Sequence, residues 1–238
     1  MYSKEYLIAK VTYLEGQLNK LPIVTLGKNN GYDVANVYIT GKNRKRHRLN
    51  TKRGQTYLDI YRTRETLEKE LKLLLSNHSF LKCAKRVSIK PVKLIPYSMK
   101  KHLVPDSNPQ PKTGDYWYNG TQMRSRLELI TAGVIDSLGL EFMYEPGIKI
   151  NNTLYYPDFV VFLPELGCGF IIECLGATED LNYLHRNYGK LIDYINIDFQ
   201  PNINYLLFCG RTDFVPDPFN MKVDIVNLIN NLARKLVA

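Results

Sequence analysis

Two carboxylates, Asp158 and Glu173, stand in a pattern that could hold a metal ion. Asp158 follows Pro157 at the start of an apolar run, YPDFVVFL; a short turn, PELGC, interrupts it; a second run, GFIIECL, carries Glu173 near its end. Side chains that alternate along two antiparallel strands joined by such a turn would set these groups side by side. Converging carboxylates repel unless a hard cation joins them. Mg²⁺ (or Mn²⁺) does so with one or two carboxylates, waters and phosphate oxygens. Such an ion polarises a phosphate and lowers the pKa of bound water, so that hydroxide is available near neutral pH. An unpaired carboxylate inside FIIECL would cost on the order of several kcal/mol, so Glu173 asks for a metal or a cationic partner. Glu128 could join the shell directly or through water, and the backbone carbonyl of Cys174 is a further candidate ligand. Each has an ordinary alternative: Asp158 as an edge or turn residue, Glu128 as a helix-surface glutamate.

Positioning these groups takes a particular series of elements. MRSRLELITAGVIDSLGL reads as a helix with Leu127, Ile130, Val134, Ile135 and Leu138 on its apolar side and Gly139 as its stop. FMYEPGIKI, LYYPDFVVFL and GFIIECL follow as three strands, joined by NNT and PELGC. LNYLHRNYGKLIDYINI is a second helix with Leu184, Tyr188, Leu191 and Ile195 as its core stripe, NYLLFCG a fourth strand and KVDIVNLINNLARKL a closing helix. The expected order is αβββαβ, an α/β chain with a mixed, α+β type of sheet.

The N-terminal half differs in charge. Residues 1–120 hold 23 Lys and Arg against 9 Asp and Glu, whereas residues 121–238 hold 9 against 14, so the whole net charge of +9 comes from the first half. Leu7, Val11, Leu14, Leu18 and Leu21 make one helical stripe that Pro22 helps to end; Ile60, Leu67, Leu71 and Leu74 make a second, interrupted by Arg64. The stripes can zip against each other or against a second copy of the chain, which allows a homodimer without requiring one. Between them IVTL, VANVYIT and RKRHRL read as strands, with TGKN as a hairpin turn, giving a helix–hairpin–helix type of extension. Lys42, Arg44, Lys45, Arg46, Arg48, Lys52 and Arg53 crowd residues 42–53. Both faces of such a ribbon would be cationic, which suits an arm laid along phosphates, with an edge strand protected by charge as the alternative.

Five prolines in residues 85–115 suggest a linker or strap. The expected divisions are 1–84 (basic, nucleic-acid binding), 85–119 (linker or strap) and 120–238 (the carboxylate-bearing domain). No run approaches a membrane span of about 18 apolar residues, and MYSKEYLIAK has no signal-peptide core, so no membrane partner and a cytoplasmic location are expected. The four cysteines lack CxxC spacing and are expected as buried thiols, without zinc or disulfides.

The element order, with Glu128 on the first helix, Pro157-Asp158 on the second strand and Glu173 on the third, resembles the PD-(D/E)xK nuclease superfamily, the restriction-endonuclease-like fold, over roughly residues 120–210. RSRLE (124–128), YPDF (156–159), ECLG (173–176) and YGKL (188–191) look more closely like an uncharacterised bacterial and phage-type group. The resemblance implies a Mg²⁺-dependent endonuclease that hydrolyses phosphodiester bonds, with DNA a better candidate than RNA and a phage or mobile-element setting. In the usual motif a lysine two residues after the Glu orients the attacking water or stabilises charge at the phosphate. Leu175 stands there and can do neither. Some members supply the lysine from another element, and Lys190, the only lysine between Lys149 and Lys222, is the candidate here, an ordinary surface lysine being the alternative. Arg124, Arg126 and Arg186 are candidate phosphate contacts, with His185 as a fallback. Two rivals stay open: a nuclease fold that binds DNA without cutting it, as a regulatory factor, and an RNA-processing or defence nuclease.

Overall fold

The computed structural model describes residues 1–40, 43–91, 95–150 and 152–238, and the chain divides into two units, Leu7–Val87 and, together, Met1–Tyr6 with Ser88–Ala238. The architecture is mixed α/β, with helices and several small sheets. No helix among the described residues is long and apolar enough to cross a membrane.

The smaller unit holds most of α1 (Lys4–Lys20), then β1 (Ile23–Asn29), β2 (Tyr32–Thr40), β3 (Asn43–Arg48) and α2 (Lys52–Asn77). Leu7, Val11 and Leu14 of the first stripe are buried. Arg64, the residue that interrupts the second stripe, donates from Nη1 to the carbonyls of Leu18 and Leu21 at 2.9 Å each. It thus supplies donors to carbonyls that the end of α1 leaves open. Asn30 and Gly31, both at positive φ (49° and 80°), turn β1 into β2; an Asn-Gly pair suits the type I′ hairpin. The TGKN turn, with Lys42, lies partly outside the described residues.

The sheet runs β1-β2-β3, antiparallel throughout. Val24, Ala35 and Val37 pack on one face with Leu49, Tyr57, Ile60 and Tyr61. His47 of the basic strand turns to this side and stacks on Tyr57 at 4.8 Å. This corrects the expectation of a ribbon with two open cationic faces, since one face packs on α2. The alternation RKRHR has an aromatic at one inward place, and that ring suffices to dock β3 on α2.

The larger unit continues with β4 (Tyr116–Tyr118), β5 (Thr121–Met123), α3 (Arg126–Ser137), β6 (Glu141–Tyr144), β7 (Ile148–Ile150), β8 (Thr153–Tyr155), β9 (Phe159–Leu163), β10 (Cys168–Leu175), α4 (Leu181–Asn196), β11 (Tyr205–Cys209) and α5 (Pro218–Leu236). The main sheet has the order β11-β10-β9-β6, with β10 and β11 parallel and the other pairs antiparallel. FMYEPGIKI and LYYPDFVVFL each give two strands rather than one. Glu145, at φ 42°, and Pro146 end β6, while Tyr156 and Pro157 separate β8 from β9, and β7 with β8 forms its own hairpin.

Every residue of β9 and β10 is buried. Strands covered on both faces read as continuous apolar runs, and neighbouring residues show the covers: Cys174 Sγ meets Thr131 of α3 at 3.4 Å, whereas Glu173 turns to α4. The proline-rich segment runs along this unit as a strap, Ile89 bridging to Val237, Pro96 to Cys168, and the amides of Asp106 and Ser107 donating to the carbonyls of Tyr144 and Glu145. Cys168 and Cys174 are buried thiols; Cys83 and Cys209 are exposed, contrary to the apolar look of their surroundings in the sequence.

Candidate active site

Carrying the β9–β10 register one step beyond Phe159 opposite Ile172 sets Asp158 opposite Glu173. Asp158 Oδ2 accepts from the Cys174 amide at 2.7 Å, and its carbonyl accepts from the Glu145 amide at 2.9 Å. Glu173, 3% exposed, is the charged residue of an otherwise uncharged strand. Its Oε1 accepts from the Tyr194 hydroxyl at 2.7 Å and its Oε2 from Lys190 Nζ at 2.8 Å. Lys190 donates also to the Tyr156 carbonyl at 2.8 Å. One ammonium therefore ties the strand end that carries Glu173 to the segment leading into Asp158. Leu175, on the same face as Glu173 by strand alternation, is buried.

Helix α4 delivers Lys190 by turning a polar line inward. Asp180 caps it, accepting from the amides of Asn182 and Tyr183. The inward line is Tyr183, Asn187, Lys190 and Tyr194, the Tyr183 hydroxyl accepting from the Gly176 amide at 3.3 Å. The expected core stripe is corrected accordingly, since Tyr188 and Ile195 are 64% and 52% exposed while Tyr194 is 1% exposed. A buried carboxylate on the facing strand outweighs the apolar rhythm of the helix, because leaving it without donors would cost more than exposing two side chains.

Glu128 sits at the third position of α3, whose N-cap is Ser125. The Glu128 amide donates to Ser125 Oγ at 3.2 Å, while the carboxylate accepts from Ser125 Oγ at 3.0 Å, from the Arg124 amide at 2.9 Å and from the Tyr144 hydroxyl at 2.7 Å. This is a variant of the capping box in which the carboxylate reaches the Arg124 amide instead of that of Ser125; its Ser-x-x-Glu signature was legible in RSRLE and not recognised from it. Burial first, then the charge of Asp158, push the Glu128 carboxyl up to about 7. The same two causes push Glu173 up to about 8 against the pull of Lys190. Burial alone would lower the Lys190 ammonium, yet Glu173 and Asp158 hold it above the ordinary lysine value. Glu128 and Glu173 thus hold their protons more tightly than ordinary carboxyls, and a divalent cation would displace them.

No protein-family model, curated protein or solved structure matches the chain. Among the described residues, no three His, Cys, Asp or Glu side chains gather as a metal-holding group. Both Glu128 oxygens accept from the helix start and Tyr144, and both Glu173 oxygens accept from Tyr194 and Lys190; Asp158 and Glu173, with waters and phosphate completing the shell, are as many carboxylates as Mg²⁺ needs. The Cys174 carbonyl belongs to the peptide whose neighbouring amide already holds Asp158.

Arg124 is spent inside the protein: Nε on Glu145 Oε1 at 2.6 Å, Nη1 on the Pro111 carbonyl at 2.8 Å and Nη2 on the Gln110 carbonyl at 2.7 Å. It holds the strap rather than facing outward. Arg126, Arg186 and His185 are exposed, as are Arg44, Lys45, Arg46, Arg48, Lys52 and Arg53; Lys42 lies outside the described residues. Sequence reading missed Tyr144, Tyr194 and Glu145. Glu145 is 1% exposed, shares Oε1 between Arg124 and Asn108 Nδ2 (2.6 Å each) and leaves Oε2 without a hydrogen bond, Lys112 Nζ standing 3.9 Å away. A Glu-Pro-Gly after an apolar strand was the available signal for it. A cavity of about 740 Å³ lined by Ile95, Met99, Gly169, Phe199 and Lys235 includes none of the four candidate catalytic residues.

Proposed function

We propose that this chain is a Mg²⁺- or Mn²⁺-dependent endonuclease that hydrolyses phosphodiester bonds in DNA, on a restriction-endonuclease-like arrangement of α3, β6, β9, β10, α4 and β11. The observation that carries the reading is the Lys190 ammonium, arriving from α4 at 2.8 Å from Glu173 where the motif lysine is missing from the strand. Asp158 and Glu173 would hold the metal. When bound, it would supply Lewis-acid activation of the phosphate and of water.

The chain's own groups do the rest. Tyr194 and the Cys174 amide fix the two carboxylates from behind, so their charge is aimed rather than free to turn. Lys190, a long flexible cation, stabilises charge on the phosphate or holds the attacking water while neutralising Glu173. Leu175 keeps solvent from that side of the strand.

The second reading, a DNA-binding protein that does not cut, is favoured by one observation, the lack of a three-ligand group among the described residues. Calorimetric titration with Mn²⁺ separates the two. Binding that disappears in Asp158→Asn supports the hydrolase; no binding in the wild type supports the rival. RNA and DNA substrates compared at one salt concentration decide the substrate class.

A further inference from the structure

Strand alternation sorts the basic residues of β3 into two sets. The register pairs Arg44 with Tyr38, Arg46 with Asn36 and Arg48 with Val34, and β1 continues these rows with Ile23, Thr25 and Gly27. All of these residues share one face. Lys45 and His47 fall on the other, with Val37, Ala35 and the packing against α2. On the first face Arg44, Arg46, Arg48, Ile23, Thr25 and Gly27 are exposed.

That face carries no Asp or Glu, since Asp33 alternates to the opposite side. Neutral groups orient the arginines instead. Arg48 lies 3.9 Å from the Tyr32 ring centroid, and Arg46 Nη1 donates to Asn29 Oδ1 at 3.4 Å. Hydrogen bonds from Thr25 and then Arg44 hold the Tyr38 hydroxyl below its ordinary value. Among the described residues the ion-paired arginines are others, such as Arg62, Arg64 and Arg86. Three like charges at every second residue of one strand, without an acid among them, are arranged for an external polyanion.

We propose that this open face docks in the major groove of duplex DNA. The arginines stand on β3 and their row partners on β2, and a two-stranded ribbon with axes about 4.8 Å apart fits a groove about 12 Å wide. Arginines at alternate positions recur about every 6.8 Å along the strand, so the row offers several cations along the groove rather than one. Asn36 and Thr25 lie in the row of Arg46, and Tyr38 in that of Arg44, with hydrogen-bonding groups for base edges. Duplex RNA presents a deep, narrow major groove that a sheet cannot enter. The biological sense of the proposal rests on the reading of the chain as a DNA hydrolase, but the binding can be measured without metal and therefore without cleavage.

The experiment is fluorescence anisotropy of a short labelled DNA duplex with the whole chain in EDTA, over a range of salt. Arg44→Ser/Arg46→Ser/Arg48→Ser should weaken binding about a hundredfold and lower the slope of log affinity against log salt by about 3. Arg46→Ser alone should cost about tenfold, and Lys45→Ser, one residue away on the other face, less than about threefold. Should the triple variant fail to fold by circular dichroism, the pair of single variants decides. The proposal is overturned by a folded triple variant that binds like the wild type, by equal losses in Arg46→Ser and Lys45→Ser, or by tighter binding of duplex RNA. A wild type that binds DNA in this way but never cleaves it would sink the hydrolase reading and leave this face standing.

Discussion

Glu173 of the larger unit is 3% exposed and has both oxygens taken, by Tyr194 and Lys190, whereas Arg46 of the smaller unit is exposed and donates to the neutral Asn29 side chain. The contrast extends to their neighbours. Around Glu173 each acid found a donor from another element: Tyr144 for Glu128, the Cys174 amide for Asp158, Arg124 for Glu145. Around Arg46 the chain offers rings and amides but no acid. Buried charges must be matched within the fold because desolvation is costly; exposed ones can be left for a ligand, since water serves them until it arrives. The internal matching marks where chemistry could be aimed. The external mismatch marks where a polyanion could be held.

The comparison breaks most visibly at Arg124–Glu145. Arg124→Ala leaves a carboxylate that is 1% exposed without its main cation, and urea unfolding should show a loss of about 3–5 kcal/mol. Arg46→Ser should fall within about 0.5 kcal/mol of wild type in the same assay. Comparable losses would erase the distinction between the units.

A second break uses pH. Burial first, then the charge of Asp158, push Glu128 and Glu173 up from an ordinary value of 4.5 to about 7 and about 8. Their protonated forms are favoured by folding, so this contribution is complete below about pH 4.5 and is lost as pH rises through 7 to 8. Thermal melts in EDTA should therefore show stability falling from pH 5 to pH 8.5, by up to about 1.4 kcal/mol per pH unit for each carboxyl. Added Mg²⁺ should restore it at the high end. A melting profile that is flat in EDTA would remove the argument for metal from these carboxyls.

Two smaller effects sharpen the picture. A Cβ at Gly54 would lie 1.9 Å from the Arg48 carbonyl oxygen, so Gly54→Ala should separate the start of α2 from the end of β3, destabilise that unit by about 2 kcal/mol and weaken DNA binding. Tyr194→Phe removes one donor from Glu173 and should cost about 1–2 kcal/mol, with the Glu173 titration, followed by carboxyl NMR, moving further upward.

Much of the site was legible because it depends on short-range features. Strand alternation and one tight turn sufficed to place Asp158 beside Glu173, and the burial of Glu173 called for a cation before any contact was known. What stayed hidden depends on meetings between distant elements. The face that α4 turns inward is chosen by a carboxylate on another strand, so the stripe of Leu184, Tyr188, Leu191 and Ile195 held at Leu191, which packs on the core, and misled at Tyr188 and Ile195. Arg124 looked free until the strap returned to it. Other misses were readable: Asn-Gly at 30–31 and again at 119–120, both at positive φ, and the Ser-x-x-Glu capping box at 125–128. The pairing of β7 with β8 was legible, but their separation from β6 and β9 was not, since Glu145-Pro146-Gly147 breaks a run whose apolar pattern continues past it.

Cleavage of supercoiled plasmid with Mg²⁺ or Mn²⁺ is the most direct measurement, comparing the wild type with Asp158→Asn and Lys190→Met. Asparagine can still accept from the Cys174 amide, and Lys190 is 29% exposed at its side chain, so both variants are expected to fold. The account predicts metal-dependent nicking or linearisation by the wild type, lost by about a hundredfold or more in each variant. Cleavage undiminished in both variants, or none by the wild type with either metal, would contradict it.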